Sequence, residues 1–224
     1  MSRLTVAAAL LASAFAIGLS LPIHAEGEVE VAAPAAAEPV AEVIPAAPAE
    51  VPAASDSGWV ARFFWSPQYC DRNRGSREPQ CVPVQGFVLR DLIRVVDGKL
   101  VEGCTTGPVT LSPKILTQMM QFTRNLPETR ASWRIYGRCS GLSEVDYAAY
   151  TELVDRRIWW PQAFSAEGPD VEMTAADIRT AIARGNHKLP VEALSTHCKR
   201  SALESIDIRF DDRFNYVQNT APPD

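Results

Sequence analysis

A chain of 224 residues, 46% hydrophobic and 22% charged, with a formal charge of −5, is long enough for one domain with a real core. That charge excludes a globally basic nucleic-acid binder. The acidity is local: Glu26, Glu28, Glu30, Glu38, Glu42, Glu50 and Asp56 all fall in residues 26–57. Setting these and Arg3 aside from the chain's 27 acids and 22 bases leaves residues 58–224 about one charge positive. A local basic groove is still allowed.

In chain order, Arg3, an apolar run from Leu4 to Ile23 and the small Ala25 read as a bacterial secretory signal peptide over residues 1–25. A retained anchor is the alternative, since the run nearly spans a bilayer. Pro22 and His24 favour cleavage, after which no stable membrane insertion is expected, and no cysteine lies near the junction to carry a lipid. Residues 26–57 contain Pro34, Pro39, Pro45, Pro48 and Pro52 and no aromatic residue, lysine or arginine. Too little apolar surface is available there to offset chain entropy, so a disordered tether is expected. Residues 58–224 then form the folded domain. They hold all five cysteines, Cys70, Cys81, Cys104, Cys139 and Cys198, which behind such a leader read as a disulfide framework in the periplasm or outside the cell. Five is odd, so at least one thiol is left over. No Cys-x-x-Cys pair occurs and His187 and His197 are not at ligand spacing, so neither a metal nor another cofactor is expected.

Within the domain, Trp59–Trp65 is aromatic and β-branched and predicts a strand, and Gly86–Arg90 predicts another. Ser112-Pro113 opens a helix to about Arg124. Ser143-Glu144-Val145-Asp146 caps a second, to about Arg157. Thr174-Ala175-Ala176-Asp177 caps a third through Arg184, with Gly185-Asn186 as a left-handed stop. Ile206–Phe210 alternates and predicts a late strand. Strands and helices in this order imply an α+β domain.

Two segments carry a resemblance to a known family. Ala131-Ser132-Trp133-Arg134-Ile135-Tyr136-Gly137-Arg138-Cys139-Ser140-Gly141-Leu142-Ser143 resembles the second active-site segment of the ribonuclease T2 family, H-E-W-x-K-H-G-x-C-S-G-L-S. Trp65-Ser66-Pro67-Gln68-Tyr69-Cys70 is similar to that family's W-S-P-x-Y-C, and Gly86-Phe87-Val88-Leu89 to the lead into G-F-V-L-H-G-L-W-P. Tyr147 stands where the family has a tyrosine, and Leu203–Arg209 resembles its late strand, with Arg209 in place of a cysteine. The match runs from about Trp59 to Phe210. It implies a central antiparallel sheet flanked by helices, with Cys70 paired to Cys81 and Cys104 to Cys139, each closure contributing ~2–4 kcal/mol. Loss of the cysteine at Arg209 would then leave Cys198 as the spare thiol. A buried small hydrophobe is the plain alternative for Cys198.

The resemblance keeps the scaffold and loses the chemistry. The family cuts RNA through a 2′,3′-cyclic phosphate, with two histidines as base and acid and an adjacent Glu and Lys holding the phosphorane. Here Arg90 replaces the first histidine, and Ala131, Ser132, Ile135 and Tyr136 hold the working positions of the second segment. Guanidinium gives up no proton at working pH, and a phenol of pKa ~10 is a poor base at neutrality. No catalytic residue is expected, and losing both partners removes ~10²–10⁴ in rate per group.

A remodelled cleft could still bind. Arg90 could take a phosphate or another anion bidentately, with Arg134 and Arg138 adding charge and Trp133 and Tyr136 stacking faces for RNA or a nucleotide. The structural alternatives are Arg90 paired with Asp91 or another acid, Trp133 in the core, and solvated Arg134 and Arg138. Two further classes remain open. One is an endoribonuclease with residual activity or a rearranged mechanism using Tyr136 and Arg90. The other is an interaction module for an envelope protein, with Trp159-Trp160 as an exposed patch or, equally, a buried pair.

Overall fold

The computed structural model describes residues 56–105, 108–165 and 172–218. The expected signal peptide and nearly all of the tether lie outside the described residues. A five-stranded antiparallel sheet organises the domain: β1 (Gly58–Trp65), β2 (Phe87–Val96), β3 (Lys99–Leu100), β4 (Leu194–Lys199) and β5 (Ala202–Phe210), in the order β3-β2-β1-β5-β4. The helices are α1 (Ser66–Arg72), α2 (Pro113–Thr123), α3 (Leu126–Ile135), α4 (Glu144–Arg157) and α5 (Ala175–Gly185). This is the expected α+β arrangement. β2 runs beyond the expected Arg90 to Val96 because Leu92, Ile93 and Val95 are all buried.

Strand alternation separates two faces of the sheet. Trp59, Ala61 and Phe63 of β1, Leu89 and Leu92 of β2, and Ile206, Ile208 and Phe210 of β5 belong to the main core, with Ile115 and Met119 of α2, Trp133 of α3 and Tyr147 of α4. Val60, Ile93 and Val95 form a small second cluster, covered by Tyr136. One irregularity matters for function. Arg62 pairs with Asp91 while Phe63 pairs with Leu89, so Arg90 is the extra residue of a β-bulge, as such insertions commonly re-aim a side chain.

The retained motif residues carry structure. Trp133 is 2% exposed, donates from Nε1 to the Pro108 carbonyl at 3.0 Å and meets Tyr147 edge-on. Gly137 lies against it: a Cβ there would come within 2.3 Å of the indole ring. Gly141 has φ +77°. Ser143 caps α4 by accepting from the Asp146 amide, and the Tyr147 hydroxyl donates to the Leu92 carbonyl at 3.0 Å, joining α4 to β2. Both implied disulfides, Cys70–Cys81 and Cys104–Cys139, are present.

Two expectations need correction. Gly185-Asn186 is not a left-handed stop: Asn186 is extended at φ −120°, and Gly185 is small because the Trp159 ring would lie 2.5 Å from a Cβ there. Nor does Arg209 explain Cys198, which is the free, exposed thiol. Cys198 faces Leu203 near the β4–β5 turn, while Ile208 faces Leu194 at the other end. Position 209 is thus about 17 Å along the hairpin, far beyond disulfide reach.

On α4, burial pushes the Asp155 carboxyl up to about 6 against the pull of Arg124 and Arg156. A raised carboxylate opposes folding once ionised, so its cost is absent below about pH 4 and complete above about pH 6. Asp155→Asn should therefore stabilise the domain by about 1–3 kcal/mol at pH 7, after discounting for partial exposure, and change nothing at pH 4. Urea denaturation at the two pH values would check this; equal effects at both would refute it.

Candidate functional site

Arg90 lies on the sheet face opposite the main core, where the bulge turns it over the Phe64 ring, its guanidinium carbon 3.4 Å from the centroid. Its Nε donates to Asp91 Oδ2 at 2.9 Å, and Nη1 lies 3.6 Å from Glu128 Oε2 at the start of α3. Asp91 is 1% exposed. Phe64, Tyr69, Gln80, Asn125 and Glu128 line the recess around Arg90, which has room for about one water molecule. This guanidinium is held as a structural cation, with an acid on each side.

Of the second segment, only Tyr136 lies within electrostatic reach of it. Ser132 and Tyr136 stay one helical turn apart at the end of α3, the Tyr136 amide donating to the Ser132 carbonyl at 2.8 Å. Ser132 is 2% exposed in the main core, beside Tyr147. Tyr136, at the helix end, packs on Val60, Ile93 and Val95. Burial and the Asp91 charge raise its pKa above the usual phenol range, making it a still poorer base at neutral pH. Ala131 is partly buried, Ile135 36% exposed and Arg134 exposed. Arg138 donates to the Thr105 carbonyl at 2.7 Å. Trp133 was a candidate stacking platform; as a core side chain it offers no face to a base.

Sequence reasoning missed a row of charges across this sheet face. Arg62 of β1 stands opposite both Asp91 of β2 and Asp207 of β5. Its Nε and Nη2 donate to the two Asp207 oxygens at 2.7 Å each, and His197 Nε2 of β4 lies 3.0 Å from the same carboxylate. Burial alone would raise the Asp207 pKa, but Arg62 and His197 outweigh it and hold the group below its usual range. Arg62 interrupts the otherwise apolar run of β1, which is the signal that could have revealed the row. His197, noted in the sequence only as lacking metal-ligand spacing, completes the row. It is three strands from Arg90, about 14 Å from backbone to backbone, so the two do not share a ligand atom. His187 is exposed in the turn after α5.

Acids outnumber the arginines here: Asp91, Asp207 and Glu128 against Arg62 and Arg90. Among the described residues no three metal-ligating side chains cluster, and no helix is long and apolar enough to cross a membrane.

The sequence matches no protein-family model and no curated protein. The backbone does have counterparts among solved structures. An RNase-related protein from Calystegia sepium superposes with a TM-score of 0.56 at 14% identity, over 76% of this chain and 94% of that one. The Nicotiana alata self-incompatibility associated SF11-RNase gives 0.53 at 14%, over 75% and 93%. A single-residue variant of RNase MC1 in complex with 5′-UMP gives 0.50 at 16%, over 75% and 94%. The domain has the fold of the T2 ribonucleases. The two disulfides are those the sequence resemblance implies.

Proposed function

We propose that this T2-fold domain is a pseudoenzyme: a binding protein that no longer cleaves RNA. The observation that carries the reading is the fixed state of Arg90, stacked on Phe64 and paired with Asp91 and Glu128, with Ser132 turned into the core. Among the described residues no histidine stands on β2 or α3, and Tyr136 gives up its proton less readily than a free phenol. Two disulfides favour an oxidising compartment. Together with the leader-like residues 1–25 and the Pro-rich residues 26–57, they support export to the bacterial periplasm or beyond. The full chain, incubated with RNA from pH 4 to 8, should give no fragments above a heat-killed control. Robust cleavage abolished by Tyr136→Phe would overturn the reading and restore the rearranged enzyme.

Binding of a nucleotide in the old cleft is the second reading, favoured by solved structures of the same fold in complex with 5′-UMP and 5′-GMP. Here a phosphate has to displace Glu128, the longer and more exposed of the two partners of Arg90. Glu128→Gln should therefore tighten 5′-UMP binding about threefold to tenfold, and Arg90→Ala should remove it. Calorimetry that finds both variants indistinguishable from the parent would exclude this ligand from the cleft. An envelope-protein partner is the remaining reading. The tryptophan pair is split for such a role: Trp159 is 58% exposed, whereas Trp160 stacks on Phe87.

A further inference from the structure

A larger cavity lies on the other side of the sheet from Arg90. Phe64 borders the Arg90 recess, and because strand residues alternate in direction, Trp65 next to it faces the main core instead. There Trp65 borders a cavity of about 500 Å³, a volume within the range of small-molecule sites. The end of β1, the short Gln162–Phe164 helix, the start of α5 and the β4–β5 turn enclose it. Trp65, Phe164, Ile178 and Leu203 give it apolar walls. The Trp65 and Phe164 rings stand at 89° to each other, with centroids 6.3 Å apart. Phe87 packs against both, 4.9 Å from Trp65 and 5.8 Å from Phe164, and fixes that corner.

Glu172 is the only charged side chain in this wall. It is exposed and makes no ion pair or hydrogen bond among the described residues. Bases on the flanking elements are engaged elsewhere. Arg72 of α1 pairs with Glu204 at 2.8 Å, and Arg179 of α5 donates to the Thr196 hydroxyl at 3.2 Å. Lys199 and Arg200, at the β4–β5 turn, are not part of the wall.

The geometry points to this cavity as a binding site for a small organic cation whose charge is an alkylated ammonium. Aromatic rings attract a cation through their quadrupole, and indole does so best. Alkyl groups on the nitrogen lower the cost of leaving water and pack on the apolar walls. The single carboxylate then supplies the countercharge. An anionic ligand would meet Glu172 with no base in the wall to answer it.

The test titrates the full chain with choline and with its neutral analogue, in which a quaternary carbon replaces the nitrogen, followed by ligand-observed NMR. Choline should bind at least about tenfold tighter than the neutral analogue. Glu172→Gln, a surface change that leaves the walls intact, should weaken choline about threefold and leave the neutral analogue unchanged. Trp65→Leu should weaken choline about tenfold, and Trp65→Phe should retain most of the binding. Glu128→Gln, which removes an acid from the old cleft, should bind choline like the parent. Equal affinity for the two compounds would overturn the cation site and leave a plain apolar cavity. So would no choline binding at millimolar concentration, or a loss seen in Glu128→Gln but not in Glu172→Gln.

Discussion

Replacing Arg62 by alanine is expected to destabilise the domain by about 3–5 kcal/mol at pH 7. The side chains of Arg62 and Asp207 are 18% and 9% exposed, so the carboxylate left behind would be buried with only His197 for company. The loss should depend on pH. In the parent, Asp207 is held below its ordinary value, and the stability it contributes is present above about pH 4 and lost as pH falls through the depressed value. Without Arg62 the buried acid protonates more easily, so the difference between parent and variant should shrink by pH 3. Denaturant titrations at both pH values measure this. A loss under about 1 kcal/mol at pH 7 would place the pair with ordinary surface salt bridges. Arg62→Met combined with Asp207→Leu should recover most of the stability, because removing both charges leaves nothing unpaired.

Trp133→Ala should cost about as much, 3–5 kcal/mol, seen as a fall in Tm of about 10 °C. The indole fills the space between Tyr147 and Gly137 and satisfies the Pro108 carbonyl. Trp133→Phe should lose closer to 1 kcal/mol, mostly the hydrogen bond. Neither variant should alter 5′-UMP binding by the folded fraction, since the ring touches no solvent-facing surface. A binding defect in Trp133→Phe at unchanged stability would return the ring to the ligand site.

Much of the fold was legible because the signals were local. Ser143 and Thr174 cap their helices as their sequence contexts predict, each accepting from the amide three residues on. The aromatic run ending at Trp65 is β1. The helix carrying the second segment could have been placed through Asn125, whose side chain accepts from the Glu128 amide, with Pro127 in the first turn. β4 gave no comparable signal, because Leu194–Lys199 mixes polar and apolar residues and is fixed by pairing with β5. At the site, the residue types at Arg90, Ala131, Ser132, Ile135 and Tyr136 were plain. What those positions do was not. The Arg90 contacts depend on a bulge, and a bulge shifts strand parity without marking the sequence. The Arg62–Asp207–His197 row joins residues up to 145 positions apart, which no window along the chain can connect.

The bulged arginine has a consequence for any substitution at position 90. A histidine at position 90 would arrive beside Asp91, a carboxylate hidden from water that has come to rely on a permanent cation. A neutral imidazole leaves that acid undercompensated, and a charged one is a poor proton acceptor. Glu128 would at the same time lose its arginine partner. Position 90 is thus coupled to its neighbours, and a change there is felt at 91 and 128 at once.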